Sequence, residues 1–513
     1  MAFRGGVTYC ADAAAHAMST ESLTGASARG GVYVLIRRVA ANAIRLGAVA
    51  VLARRLDRGE FGVVALAQLA VSLLTVFGTG GVITYIVCDR EADWQARTSP
   101  AFWLNLALTT ASCAVALALL PLVQYVYGEP LLGQVLLVIL ATYFVTQLRM
   151  VPEALLQRRL AFRVLAVRDT ARDFSTAAVA VAMALGGFGV WSLVVPNLVV
   201  APLDVAFTAW QARFWPSRSL GRGSWSRIFR FTRSVIAEQL LSFIGNETDT
   251  AIVGKVMGTA VVGVYNLAYQ LANLIGKNVS AVLTMVSTPA LAAAFERRTG
   301  IGSPYRKMMR VLSLISTPLL LGMFVLADEL IGLVYGPKWS DAVPLLRIFI
   351  VSTLVRSVTS PSGAVFNVVG RPELSMKIAL GFVALYVPAL VLFSRWGLVP
   401  FALCVAAARF IVGLVSLYIS LDLIAESKAR VTDELIRPLI AGIAMAIAVW
   451  GVDRALIGAG VPAVVRIAAG AVVGAVVYLG AARLLAQRAF GEAMALIKDL
   501  ARRRARVADK AAA

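Results

Sequence analysis

Apolar runs of 19 to 29 residues recur along the whole chain, broken by glycine, proline or clusters of charge. There are fourteen: 33–56, 61–88, 99–127, 131–151, 163–185, 189–212, 231–255, 261–288, 306–334, 342–367, 374–394, 398–424, 435–453 and 461–485. About 20 apolar residues cross the hydrocarbon core as an α-helix, so the pattern predicts fourteen transmembrane helices. Several joins are short, such as Gly128-Glu129-Pro130 and Gly186-Gly187-Phe188-Gly189.

Two neighbouring runs carry polar stripes. The seventh has Glu238, Ser242, Asn246 and Asp249; the eighth has Asn266, Gln270, Asn273, Lys277 and Ser280. Steps of three and four put each set on one helix face. A charge at the bilayer centre costs at least about 2.5–3.5 kcal/mol, so such a face meets a partner helix or a wet cavity. Both readings, cavity wall and interhelical packing, stay open for a single stripe.

A short repeat links the halves. Phe61-Gly62-Val63-Val64-Ala65-Leu66-Ala67 opens the second run, and Val262-Gly263-Val264-Tyr265-Asn266-Leu267-Ala268 opens the eighth. Two six-helix lobes would put the first and seventh runs in matching positions, with the substrate path between them. The first run then faces the same cavity with Arg38, Asn42 and Arg45. The tenth adds Ser352, Arg356, Ser360, Gly363 and Asn367. Arg38 can snorkel to the inner surface; Arg45 and Arg356 fall near mid-span, where snorkelling is harder. A cavity with cations from the first, eighth and tenth runs suits an anionic group, arginine being favoured for phosphate. The acids Glu238 and Asp249 are candidate sites for a coupling H+ or Na+. The charges on the fifth run, Asp169, Arg172 and Asp173, are expected to pair within their own lobe.

Composition agrees with a polytopic membrane protein: 59% hydrophobic, 15% charged and mean hydropathy +0.79. The net charge of +21 is explained by short inner loops, without a nucleic-acid partner. With a cytoplasmic N-terminus, inner loops hold 21 Lys and Arg. Outer loops hold seven: Arg54, Arg55, Arg58, Lys255, Lys338, Arg395 and Arg454. This predicts both termini inside, although the Arg54, Arg55, Arg58 cluster runs against the rule. Four dispersed cysteines and a single histidine, His16, offer no disulfide framework, metal site or histidine catalysis. Residues 1–30 lack the apolar core of a signal peptide; Met18 is an alternative start. The Asn-X-Ser/Thr matches at Asn246 and Asn278 lie inside runs, where no oligosaccharide is added. Gly470 and Gly474 predict close helix packing.

The expected organisation is a disordered segment 1–30, a first lobe 31–214, a basic linker 215–230, a second lobe 231–424, two further helices in 425–488 and a basic cytoplasmic tail 489–513. The tail's Arg502-Arg503-Arg504-Ala505-Arg506 suits anionic lipid.

Several phrases, in order, carry a family resemblance: Leu52-Ala53-Arg54-Arg55-Leu56 with Glu60-Phe61-Gly62, Leu155-Leu156-Gln157-Arg158-Arg159, Gly187-Phe188-Gly189-Val190-Trp191, Asp249-Thr250-Ala251-Ile252-Val253-Gly254, Gly336-Pro337-Lys338-Trp339 and Gly370-Arg371-Pro372. From about residue 33 to 485 the chain resembles the polysaccharide transporter branch of the multidrug, oligosaccharidyl-lipid and polysaccharide flippase superfamily. The resemblance implies an all-α fold of two six-helix lobes in a V around a central cavity, plus two C-terminal helices. It implies a flippase of the bacterial inner membrane, carrying an undecaprenyl-pyrophosphate-linked glycan outward, with polysaccharide polymerase or export machinery as further partners. Relatives place basic residues on the first and eighth helices around pyrophosphate, which here are Arg38, Arg45 and Lys277. The alternative is a cation-coupled multidrug exporter of the same fold. A membrane enzyme is disfavoured, since no outer loop exceeds roughly ten residues, too short for a folded domain.

Overall fold

The computed structural model describes residues 44–78, 86, 97–159, 161–217, 222–296, 301–371, 373–487 and 490–492. Among these residues the regular structure is entirely helical. The first helix, α1, covers residues 44–55. It is followed by α2 (Arg58–Gly78), α3 (Thr98–Tyr127), α4 (Pro130–Gln147), α5 (Met150–Arg158), α6 (Phe162–Leu185) and α7 (Trp191–Ala212). Then come α8 (Arg222–Met257), α9 (Thr259–Glu296), α10 (Gly302–Val325), α11 (Ala327–Val334), α12 (Ala342–Thr359) and α13 (Ser362–Val368). The last four are α14 (Glu373–Phe393), α15 (Leu398–Leu423), α16 (Lys428–Gly458) and α17 (Ala463–Leu485).

Among the described residues, ten helices are long and apolar enough to cross a membrane. Three predicted spans are subdivided. The helix following Gln147 pauses before α5, and Leu326 separates α10 from α11. The third break falls at Ser360–Pro361, between α12 and α13. Proline brings no N–H, so the hydrogen-bond ladder lapses there although Ser360 and Pro361 both keep right-handed helical backbone angles. Arg356 therefore sits in the last turn before a discontinuity. The stretch 215–230 is helical from Arg222 onward, continuous with α8. At 36 residues, α8 is about 54 Å long, well beyond the roughly 30 Å apolar core of a bilayer.

Packing explains the repeat. The helices opened by Phe61–Ala67 and Val262–Ala268, α2 and α9, lie against each other. A Cβ on Gly62 would overlap the Thr259 carbonyl oxygen, and one on Gly263 would overlap that of Arg58. In lipid no hydrophobic force drives helices together, so close backbone approach and van der Waals contact carry the association. Only glycine permits this approach at the crossing. The surrounding core is apolar: Val63, Leu66, Ala67, Val262, Tyr265 and Ala268, joined by residues of α4, α12 and α15.

The two C-terminal helices pack mainly on each other and on α10. Gly470 and Gly474 face Val449, with 3.3 and 3.2 Å left for a Cβ, so the small-residue pair does mark a close contact. An ion-pair set fastens the N-terminal end of α10: Arg306 to Glu426, and Arg310 to Glu434 (2.8 Å) and Glu492.

Replacing Gly470 and Gly474 together by isoleucine is expected to destabilise the α16–α17 pair by about 1–3 kcal/mol per site. Gly480→Ile, where nothing lies within 4 Å, is expected to change little. Thermal unfolding in detergent compares the two.

Candidate functional site

A carboxylate inside an apolar bundle must be neutralised by protonation or by a partner. Asp249 on α8 has a partner. Its side chain is 1% exposed and pairs at 3.0 Å with Arg409 of α15, itself 7% exposed. The same Oδ2 accepts the hydroxyls of Tyr265 at 2.8 Å and Tyr386 at 3.3 Å, and Oδ1 accepts the Thr250 amide. Arg409 also donates to the Tyr269 hydroxyl and lies 4.8 Å from that ring. Phe349 packs edge-on against both Tyr265 and Tyr269. Four helices, α8, α9, α14 and α15, thus converge on one neutral ion pair.

Two turns further along α9 the balance differs. Asn273 is buried; its amide nitrogen donates to the Tyr269 carbonyl, and its Oδ1 accepts the Arg356 guanidinium from α12. An amide oxygen orients a guanidinium without cancelling its charge. Among the described residues no carboxylate pairs with Arg356. Half-buried near the α12–α13 break, it is a cation whose partner among the described residues leaves its charge in place.

The other half supplies Arg45 on α1. Its side chain is 64% exposed and lies 3.7 Å from Asp173 of α6. Behind it runs a charge network across α5, α6 and α7. Arg168 reaches Glu153 at 3.0 Å, Asp169 at 2.6 Å and Asp204 at 3.6 Å. Arg149 bridges Glu153 and Asp204, and Arg172 meets Asp173 at 3.2 Å. Arg168 and Asp204 are almost wholly buried.

Between α1 and the second half lies a cavity of about 500 Å³. Its lining is apolar, including Leu46, Ala50, Leu271, Leu274 and Met323, and among the described residues Arg54 is the one charged group in it.

This helical arrangement and its sequence can be set against known proteins. The sequence model of a family described as polysaccharide biosynthesis protein matches residues 51–344, more than half of the chain. The chain belongs to that family. Among curated members it is 24% identical over 344 residues to the lipopolysaccharide biosynthesis protein WzxC of Escherichia coli (strain K12), covering 67% of this chain and 70% of WzxC. It is 27% identical over 445 residues to the succinoglycan biosynthesis transport protein ExoT of Rhizobium meliloti (strain 1021), covering 84% and 87%. In fold it matches the lipid II flippase MurJ in an inward closed conformation, with a TM-score of 0.72 at 12% identity over 90% of this chain and 99% of that one. A MATE transporter of Vibrio cholerae, VcmN, matches with a TM-score of 0.55 at 15% identity, over 80% and 99%. The protein is therefore a multi-pass membrane member of a polysaccharide biosynthesis family, built on a transporter fold. The expectation of a transporter rather than an enzyme agrees with both.

The expected site residues of this family member fall in different settings. Arg38 and Asn42 lie outside the described residues, as do the side chains of Glu238 and Lys277. Arg45 is on the first half, near Asp173. Arg356 and Asn273 touch. Asn266 accepts from Gln270 at 2.8 Å, along the same helix. Asp249 lies inside the bundle, fully engaged by Arg409 and two tyrosines. Ser242 and Asn246, on the same stripe, are exposed, so the stripe passes from open space into packed interior within one turn. Arg409 was not among the residues singled out from the sequence. Its signal was there: a lone arginine in the apolar run 398–424, where the cost of burial calls for a partner.

Arg409→Ala is expected to destabilise the protein by about 3–5 kcal/mol, because it strands a buried carboxylate. Asp249→Leu combined with Arg409→Met is expected to recover much of that loss. Thermal unfolding of the purified variants measures both.

Proposed function

We propose that the protein is a flippase for an undecaprenyl-pyrophosphate-linked glycan, moving it from the cytoplasmic to the periplasmic leaflet of the bacterial inner membrane. The observation that carries this reading is the guanidinium of Arg356, half-buried within the bundle and held by Asn273, with no carboxylate paired to it among the described residues. Arg45 faces open space from the other half. Together they suit two negatively charged phosphates, which arginine can grip in bidentate fashion. Lys277 and Arg38 belong to the same proposed ring, with Asn42, Asn266, Gln270 and Asn273 as its polar lining. The likeness to MurJ, whose name states lipid II flipping, supports a lipid-linked cargo, and the names of WzxC and ExoT support a surface polysaccharide.

The proposed architecture is the full set of fourteen spans. The four not among the ten apolar ones are α1 with its preceding residues, α6, α8 and α9. Helices up to α7 form one lobe, α8 to α15 the second, and α16–α17 the added pair, with both termini cytoplasmic. Coupling to H+ or Na+ is part of the proposal, with Glu238 and Asp249 as the acids. In this arrangement a coupling cation at Asp249 would compete with Arg409, whose guanidinium joins α15 to α8 through that carboxylate.

In a strain lacking the gene, complete lipid-linked saccharide is expected to accumulate on the cytoplasmic face, shielded from a glycosidase that cannot cross the membrane. The intact gene restores export; Arg45→Ala and Arg356→Ala reach the membrane but do not. Altered sensitivity to lipophilic cations without any accumulation would favour the multidrug exporter. Single units built up on the periplasmic face would favour an enzyme of polymerisation.

A further inference from the structure

Seven cations sit in loops expected to face outward, against the positive-inside bias. Four of them join the helices before residue 217 to those after 222. Arg54, at the end of α1, donates to the carbonyls of Leu333 and Val334, the last of α11. Lys338, just beyond α11, donates to the carbonyls of Leu56 and Arg54, closing the end of α1. Lys255 on α8 donates to the Val126 carbonyl at the end of α3. Arg58 pairs with Asp341 at 2.6 Å. Buried Trp339 adds a bond of 3.0 Å to the Ala53 carbonyl and an edge-on contact with Phe61.

Three helix C-termini at one end of the molecule are thus each capped by a cation from the opposite half. A helix C-terminus carries unsatisfied carbonyls and partial negative charge, so the match is favourable. The four cations are at least partly open to water, and the Asp341 side chain is 63% exposed. Water can replace every one of these bonds when the halves part, leaving no carbonyl orphaned.

We propose that this reciprocal capping is a latch. It holds the two halves together at the face expected to be extracytoplasmic, and it is released each time that face opens. The proposal extends the transport reading by assigning a role to the cations that contradict the charge bias. Arg54 has a second position in it, because it also lines the 500 Å³ cavity beneath the latch. An anionic cargo rising from the Arg45–Arg356 level would compete with the Leu333 and Val334 carbonyls for its guanidinium.

The test uses the full-length protein with its four native cysteines replaced by serine. A reporter Val63→Cys lies buried at the α2–α9 crossing, and Met445→Cys lies buried where α16 meets α17. Each is probed in cells with a membrane-impermeant maleimide. With Arg54, Lys255 and Lys338 all changed to alanine, labelling at Val63→Cys is expected to rise about tenfold, while Met445→Cys stays protected. Labelling that does not rise, or that rises equally at both reporters, overturns the latch; in the second case the bonds are ordinary fold contacts. This readout needs no cargo, so it stands or falls apart from the substrate assignment. In a second variant, Arg58→Cys with Asp341→Cys, a short bifunctional maleimide is expected to abolish export by tying the halves together. Undiminished export from fully cross-linked protein also overturns it.

Discussion

A charge taken into a bilayer must find its opposite inside the protein, and this one constraint orders most of what the chain does. Asp249 and Arg409 satisfy it completely, drawing four helices onto a single point. In the first half Arg149, Arg168 and Arg172 meet the four acids Glu153, Asp169, Asp173 and Asp204, with Arg45 beside Asp173 as the fourth cation. Replacing such pairs by apolar residues is often neutral or stabilising, so their presence is weak evidence for stability alone. They fix which helices meet, and in what register. Arg356 differs from Arg168, Arg310 and Arg409 in that its partner among the described residues is an amide where theirs are carboxylates.

The second ordering constraint is close approach. Gly62 and Gly263, at equivalent places in the repeated phrases, let α2 and α9 cross with backbone almost on backbone. That crossing closes one end of the space between the halves, directly beside the exchanged caps of α1, α3 and α11. Interhelical packing in lipid comes from fit rather than from hydrophobic expulsion, so the contact can hold in one state and release in another. A transporter fold needs interfaces of that kind.

Much of this was legible in the sequence. Length and hydropathy marked the helices, and the repeat phrases marked the openings of α2 and α9, though not that the two meet. Helical spacing singled out Asn273 and Arg356, which turn out to touch. What stayed hidden was partnership between distant segments. Arg409 lies 160 residues from Asp249, and no spacing rule links them. Arg54 and Arg58 looked like exceptions to a topology rule because their partners, the Leu333 and Val334 carbonyls and Asp341, lie about 280 residues away. The break at Ser360–Pro361 was signalled by the proline itself, yet a run of apolar residues continued across it.

The central claim is that guanidinium groups in the bundle receive a pyrophosphate. Its most direct test is binding by the purified protein of a short-chain polyprenyl pyrophosphate, compared with the matching monophosphate and free alcohol. The account predicts preference in that order, weakened by salt and lost when Arg45 and Arg356 are both replaced by glutamine. Equal affinity for all three lipids, or binding that survives the double replacement, would contradict it.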